Sequence, residues 1–147
     1  MPLLTRPAPT GSRASLGAAA GAVTPTHLAW GRVGAGASMV VRPSSLPRMM
    51  GADSATATRV GWAVQMLGVR DLALGVGTLV ALRGQDRRAA RTWLTMGVLC
   101  DAVDALAIGG ALLKGRVTKA GAAAAIGVAL GAVAVGANAL EQDERDI

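Results

Sequence analysis

Apolar residues fall into four blocks along the chain, each bounded by polar or turn-forming residues. The first block, about 24–41, opens on Thr24-Pro25, a pattern that suits a helix start, and Pro43 and Pro47 close it. A loop at 42–58 follows, with a short interfacial piece expected around 46–50. The next three blocks lie at about 60–82, 92–113 and 120–140. Each is long enough as a helix, at about 1.5 Å per residue, to cross a hydrocarbon layer of roughly 30 Å. The pattern predicts an all-α, polytopic membrane protein: a four-transmembrane-helix bundle, with its strongest apolar signal in the last three spans. Residues 1–23 are rich in Pro, Ala, Gly, Ser and Thr, and read as a disordered tail or as the product of a mis-assigned start. Their best apolar stretch, 16–23, is too poor in leucine for the core of a signal peptide. Residues 141–147 form an acidic tail expected in solvent.

Two of the apolar blocks carry charge at their centres. The second holds Arg70-Asp71, and the third holds Asp101 and Asp104. Asp101 and Asp104 are three apart, so their carboxylates share one helix face, with Cys100 one turn before Asp104. Arg32 lies inside the first block. A charge at the centre of an inserted helix costs about 3 kcal/mol, and a good aliphatic residue returns only about 0.5 kcal/mol. The eleven Val, Leu and Met residues of the second block roughly offset its two charges; the third block falls short by about 1–2 kcal/mol. The charges must therefore meet. An antiparallel hairpin brings Arg70 to the depth of Asp101 or Asp104, and Arg32 can join them. Such a cluster holds two cations and three carboxylates, leaving one carboxylate formally unmatched.

Composition strengthens the membrane reading. Of 147 residues, 52% are hydrophobic and 16% charged, with mean hydropathy +0.43, far on the apolar side for a soluble domain. There are 20 glycines but no Phe or Tyr, which would starve a water-exposed core of buried area. Between membrane helices, small residues instead permit close approach. Gly61, Gly68 and Gly75 recur every seven residues along one seam of the second block, and Gly127 and Gly131 make a GxxxG in the fourth. Both are read as helix-packing faces. The net charge of +6 sits in short clusters between apolar blocks, so it reads as headgroup anchoring rather than a nucleic-acid footprint. Seven Lys and Arg residues flank one side of the four spans and six the other, and the tight Arg83–Arg91 cluster favours cytoplasmic termini.

The run Gly68-Val-Arg-Asp-Leu-Ala-Leu-Gly-Val-Gly77, then a basic loop, Trp93 and Asp101-Ala-Val-Asp104, resembles a family of small bacterial integral membrane proteins catalogued only as a domain of unknown function. Gly31-Arg32 and Pro43 resemble that family's first helix, and the likeness covers about 27–140. It implies four helices and a multi-pass location in the bacterial inner membrane, and it singles out Arg70, Asp71, Asp101 and Asp104 without assigning them an activity.

One cysteine and one histidine argue against a disulfide, a metal centre or a bis-His haem, so neither cofactor nor metal is expected. No catalytic triad or phosphate loop is present, and an enzyme is not expected. The expected role is that of an integral membrane protein with a structural Arg/Asp network. Its expected partners are the lipid bilayer and either a second copy or another membrane protein, to which it would be a small accessory subunit. The alternative is a proton-coupled small-solute transporter or channel that uses the Asp101/Asp104 pair.

Overall fold

The computed structural model describes residues 24–145, with side chains described as far as Asn138. The expected N-terminal tail at 1–23 and the side chains of the acidic tail lie outside the described residues. Among the described residues six helices follow in order: α1 Pro25–Val41, α2 Ser45–Met49, α3 Ser54–Arg59, α4 Gly61–Arg83, α5 Arg87–Leu113 and α6 Lys119–Arg145. The fold is all-α among the described residues. Three stretches are long and apolar enough to cross a membrane: Gly61–Arg83, Arg87–Leu113 and Lys119–Asn138. The expected first span is a 17-residue helix, α1, and at 1.5 Å per residue it measures only roughly 26 Å.

Local chemistry sets the helix ends. Thr24 caps α1 by accepting the His27 N–H, and the His27 ring accepts the Thr24 N–H in return, with Pro25 in the first turn. The lone histidine is thus a capping residue. Asp53 caps α3 and Asp86 caps α5. The Asp86 cap starts α5 at Arg87, five residues before the apolar block begins at Thr92, so the arginines extend the helix beyond its apolar part. The α4–α5 turn puts Gln85 at φ 54°, and the α5–α6 turn puts Gly115 at φ 64°, where a glycine is at ease. At its far end the α6 backbone stays helical to Arg145.

Four long helices pack up-and-down as two close pairs, α1 with α4 and α5 with α6, and the pairs meet mainly along α4 and α5. The first pair is held by small residues. Ala29 and Gly36 of α1 and Pro43 just beyond it step by seven and meet Gly75, Gly68 and Gly61 stepping back along α4. A methyl group on Gly68 would lie 2.7 Å from the Gly36 carbonyl oxygen, and one on Gly75 would lie 2.7 Å from that of Ala29. The backbones touch only because these side chains are absent. Gln65 adds a hydrogen bond from its side-chain N–H to the Val40 carbonyl, 3.3 Å.

On α6 the seam that packs within the chain is not the GxxxG face, a spacing that serves contact with a second copy as well as with a neighbouring helix. Gly127 and Gly131 are exposed, with no atom within 4 Å of an added Cβ. The buried seam is Ala122, Ala129 and Gly136, again seven apart, and Gly136 packs against Val98 of α5. The GxxxG spacing defines a face but not which way that face turns. A second tie lies at one end of the bundle, where the Thr118 N–H donates to the Met50 carbonyl, 3.0 Å, and Gly121 sits against Met49 and Met50.

Candidate functional site

The site forms where the two helix pairs meet. Arg32 of α1, Arg70 and Asp71 of α4, and Asp101 and Asp104 of α5 come together in one network. Its order is a chain of alternating sign: Asp101, Arg32, Asp71, Arg70, Asp104. Arg32 donates from Nη2 to Asp101 Oδ2 at 2.5 Å, and its Nη1 lies 3.7 Å from Asp71 Oδ1. Arg70 donates to Asp71 Oδ1 from Nη2 at 3.2 Å and from Nε at 3.4 Å. Its two terminal nitrogens clasp Asp104 fork to fork, at 3.1 and 2.6 Å.

The sequence left Arg70 a choice between Asp101 and Asp104; the structure pairs it with Asp104 and gives Asp101 to Arg32. No carboxylate is left over. Asp71 touches both guanidinium groups, so the formal excess of one negative charge is shared rather than stranded on a single residue. Among the described residues, no buried side-chain nitrogen or oxygen lacks a partner.

Burial grades along the chain of charges. The Arg32, Asp71 and Asp101 side chains are 10–14% exposed, while Arg70 and Asp104 are about one-third exposed. The inner part of the network lies within the bundle and the outer part at the open edge between α4 and α5. At 1.5 Å per residue, Arg32, Arg70, Asp71, Asp101 and Asp104 lie roughly 12–18 Å from the helix ends Val41, Trp62 and Leu113. That is near the middle of the long helices.

Two further residues shape the site. Gly97, one turn before Asp101, is buried, and a methyl group there would lie 2.9 Å from Arg32 Nη2; its hydrogen side chain makes the room for the guanidinium. The signal that marks Gly97 is a glycine four residues before a mid-span aspartate, hard to notice in a chain with 20 glycines. Trp93 packs its ring against Gly77, and together with Leu28, Ala29, Arg32, Thr78, Leu94 and Gly97 it lines a cleft of about 10 Å³ beside Arg32. That is room for about one water molecule, far below the roughly 300–1,000 Å³ of small-molecule sites. Thr78 turns its hydroxyl away, donating to the Leu74 carbonyl of its own helix. Cys100 is a free thiol, half-buried. Among the described residues, no group of three His, Cys, Asp or Glu side chains is arranged to hold a metal ion.

No protein-family model matches the chain, and neither does any curated protein or solved structure.

Proposed function

We propose that the chain is a four-pass integral membrane protein in which the Arg/Asp network locks the α1–α4 pair to the α5–α6 pair, a structural part of a small accessory subunit. The observation that carries this reading is the inverted distribution of side chains. The buried apolar positions are mostly alanine, with no large side chain fully buried among the described residues, while Leu106 is 77% and Val128 75% exposed. A water-soluble helical bundle does the reverse. Hydrocarbon around the helices removes the conflict, since packing there relies on small residues and close contact.

Three further observations agree with it. The tryptophans sit towards helix ends: Trp62 at the start of α4, Trp30 in the second turn of α1 and Trp93 in the second turn of α5. Indoles favour the membrane–water interface. Along α4, Trp62 to Arg83 measures roughly 31 Å, the thickness of a hydrocarbon core. Finally, α1 lies antiparallel on α4 from Pro43 to Ala29, so a membrane that holds α4 also holds α1 as a fourth, shorter pass. Motif likeness to small bacterial membrane proteins supports a place in the bacterial inner membrane.

Mid-membrane charges of this kind are either structural or mark an ion pathway. The alternating order of the network and its mutual pairing support the first: each carboxylate accepts from a guanidinium, and the adjoining cleft is small. The test combines two readouts on the Asp101→Asn/Asp104→Asn pair. Loss of folded protein from the membrane, with no pH-driven flux in wild-type proteoliposomes, is the expected result. Normal accumulation of the variant, together with wild-type proton flux that Asp104→Asn abolishes, would replace the structural role with a proton-coupled one.

A further inference from the structure

The fold gathers six cations that the sequence separates into two groups. Arg42, Arg48 and Arg59 flank or lie in the α2–α3 segment, and Lys114, Arg116 and Lys119 border the α5–α6 turn. The Thr118–Met50 hydrogen bond and the Gly121 contact bring both segments to the same end of the bundle. All six side chains are exposed, and none makes an ion pair or side-chain hydrogen bond among the described residues. The acid of these segments, Asp53, is occupied in capping α3 through Ala55 and Thr56. Six cations against one carboxylate leave this end at about +5, with nothing in the chain's described part to neutralise it.

Apolar side chains frame the same end. Val41 at the end of α1, Met49 of α2, Trp62 at the start of α4 and Leu113 at the end of α5 are 76, 71, 66 and 90% exposed. A face that recognises a nucleic acid or an acidic soluble protein has no need of such a rim. Cations beside exposed Val41, Met49, Trp62 and Leu113 suit a bilayer edge, where phosphate adjoins acyl chain.

We propose that this end of the bundle is a binding face for anionic lipid headgroups, which take up the unpaired Arg and Lys side chains of the α2–α3 segment and the α5–α6 turn. The proposal rests on the membrane reading and holds for whichever leaflet this end meets. It assigns α2 and α3 a job that the spans do not need: they hold Arg48 and Arg59 at the end of the bundle where Met50 meets the α5–α6 turn. The ligand chemistry is a phosphodiester held among several cations, with acyl chains against the apolar rim.

The experiment uses the full chain purified into mixed phosphatidylcholine/phosphatidylglycerol nanodiscs, with tightly retained lipid counted by native mass spectrometry. The wild type is expected to retain phosphatidylglycerol over phosphatidylcholine by roughly threefold or more relative to the bulk mixture. Raising NaCl from about 0.1 M to about 0.5 M should reduce that enrichment, because exposed charges are screened. R48Q/R59Q/R116Q/K119Q should abolish it, while R83Q/R87Q at the opposite end should leave it in place, with helical content matched by circular dichroism. Retention without selectivity, selectivity insensitive to salt, or equal loss in both variants would overturn the lipid face; the salt titration needs no variant to fold. Release of the wild type from native membranes by carbonate would instead overturn the membrane reading beneath it.

Discussion

Asp71 and Arg32 do more at the residue scale than their places in the sequence suggest. Asp71 lies beside Arg70 in the chain, yet it also faces Arg32 from another helix, so it joins two ion pairs into one network. Arg32 crosses the bundle to Asp101, and both side chains are close to fully buried. Removing one partner of such a pair strands the other in a medium that cannot solvate it, at a cost of about 3–5 kcal/mol. Arg32→Ala is therefore expected to destabilise the protein by that amount in detergent unfolding titrations, and more than Arg70→Ala, whose partner Asp104 is one-third exposed. The mid-span acids were legible because a charge inside an apolar block has few innocent explanations. Gly97 was not, because its role depends on a guanidinium arriving from another helix. A pH effect belongs to Asp53, outside the spans. Hydrogen bonds from the Thr56 N–H and hydroxyl and the Ala55 N–H hold its carboxyl below the usual value of 3.8. With the folded value depressed, its stabilisation is present above the unfolded value and lost as pH falls through the folded one. Amide exchange at Ala55 and Thr56, corrected for intrinsic rates, should accelerate below pH ~4 and lose this step in Asp53→Asn.

Among the elements, the seven-residue glycine period of α4 shows how far spacing reaches. It picks out the seam that meets α1, because a period near two helical turns keeps the same face towards a neighbour. The same kind of inference on α6 chose Gly127 and Gly131, which face outwards, over Ala122, Ala129 and Gly136, which are buried. In a helix built from Ala, Gly and Val, both faces are small, and only the position of α5 decides between them. Substitutions should separate the two cases. Gly68→Leu and Gly75→Leu push atoms into the α1 backbone and should cost about 3 kcal/mol or more, read as loss of folded yield and a lower unfolding midpoint. Gly131→Leu meets open space and should change stability by less than about 1 kcal/mol. Equal damage at both faces would mean that α6 has a partner along its outer side.

For the whole molecule, the proposed membrane setting gives the apolar outside and the small-residue inside one cause: helices surrounded by lipid need no hydrophobic core to stay together. Four blocks of hydropathy were enough to anticipate the order of the four long helices but not α3, which lies in the expected loop, while α1, shorter than its three companions, lies along α4. The α1–α4 pair is bound by close backbone contact and the α5–α6 pair by a seam of small residues, while between the pairs the contact is sparser and ion pairs bridge it. On the structural reading proposed above, this ionic chain holds the halves together. A double-mutant cycle on Arg32→Met and Asp101→Leu, measured by unfolding in mixed micelles, tests it most directly. Each single variant is expected to be strongly destabilised and the double variant to recover much of the loss, with a coupling of at least about 1.5 kcal/mol. Additive effects within about 0.5 kcal/mol would contradict it.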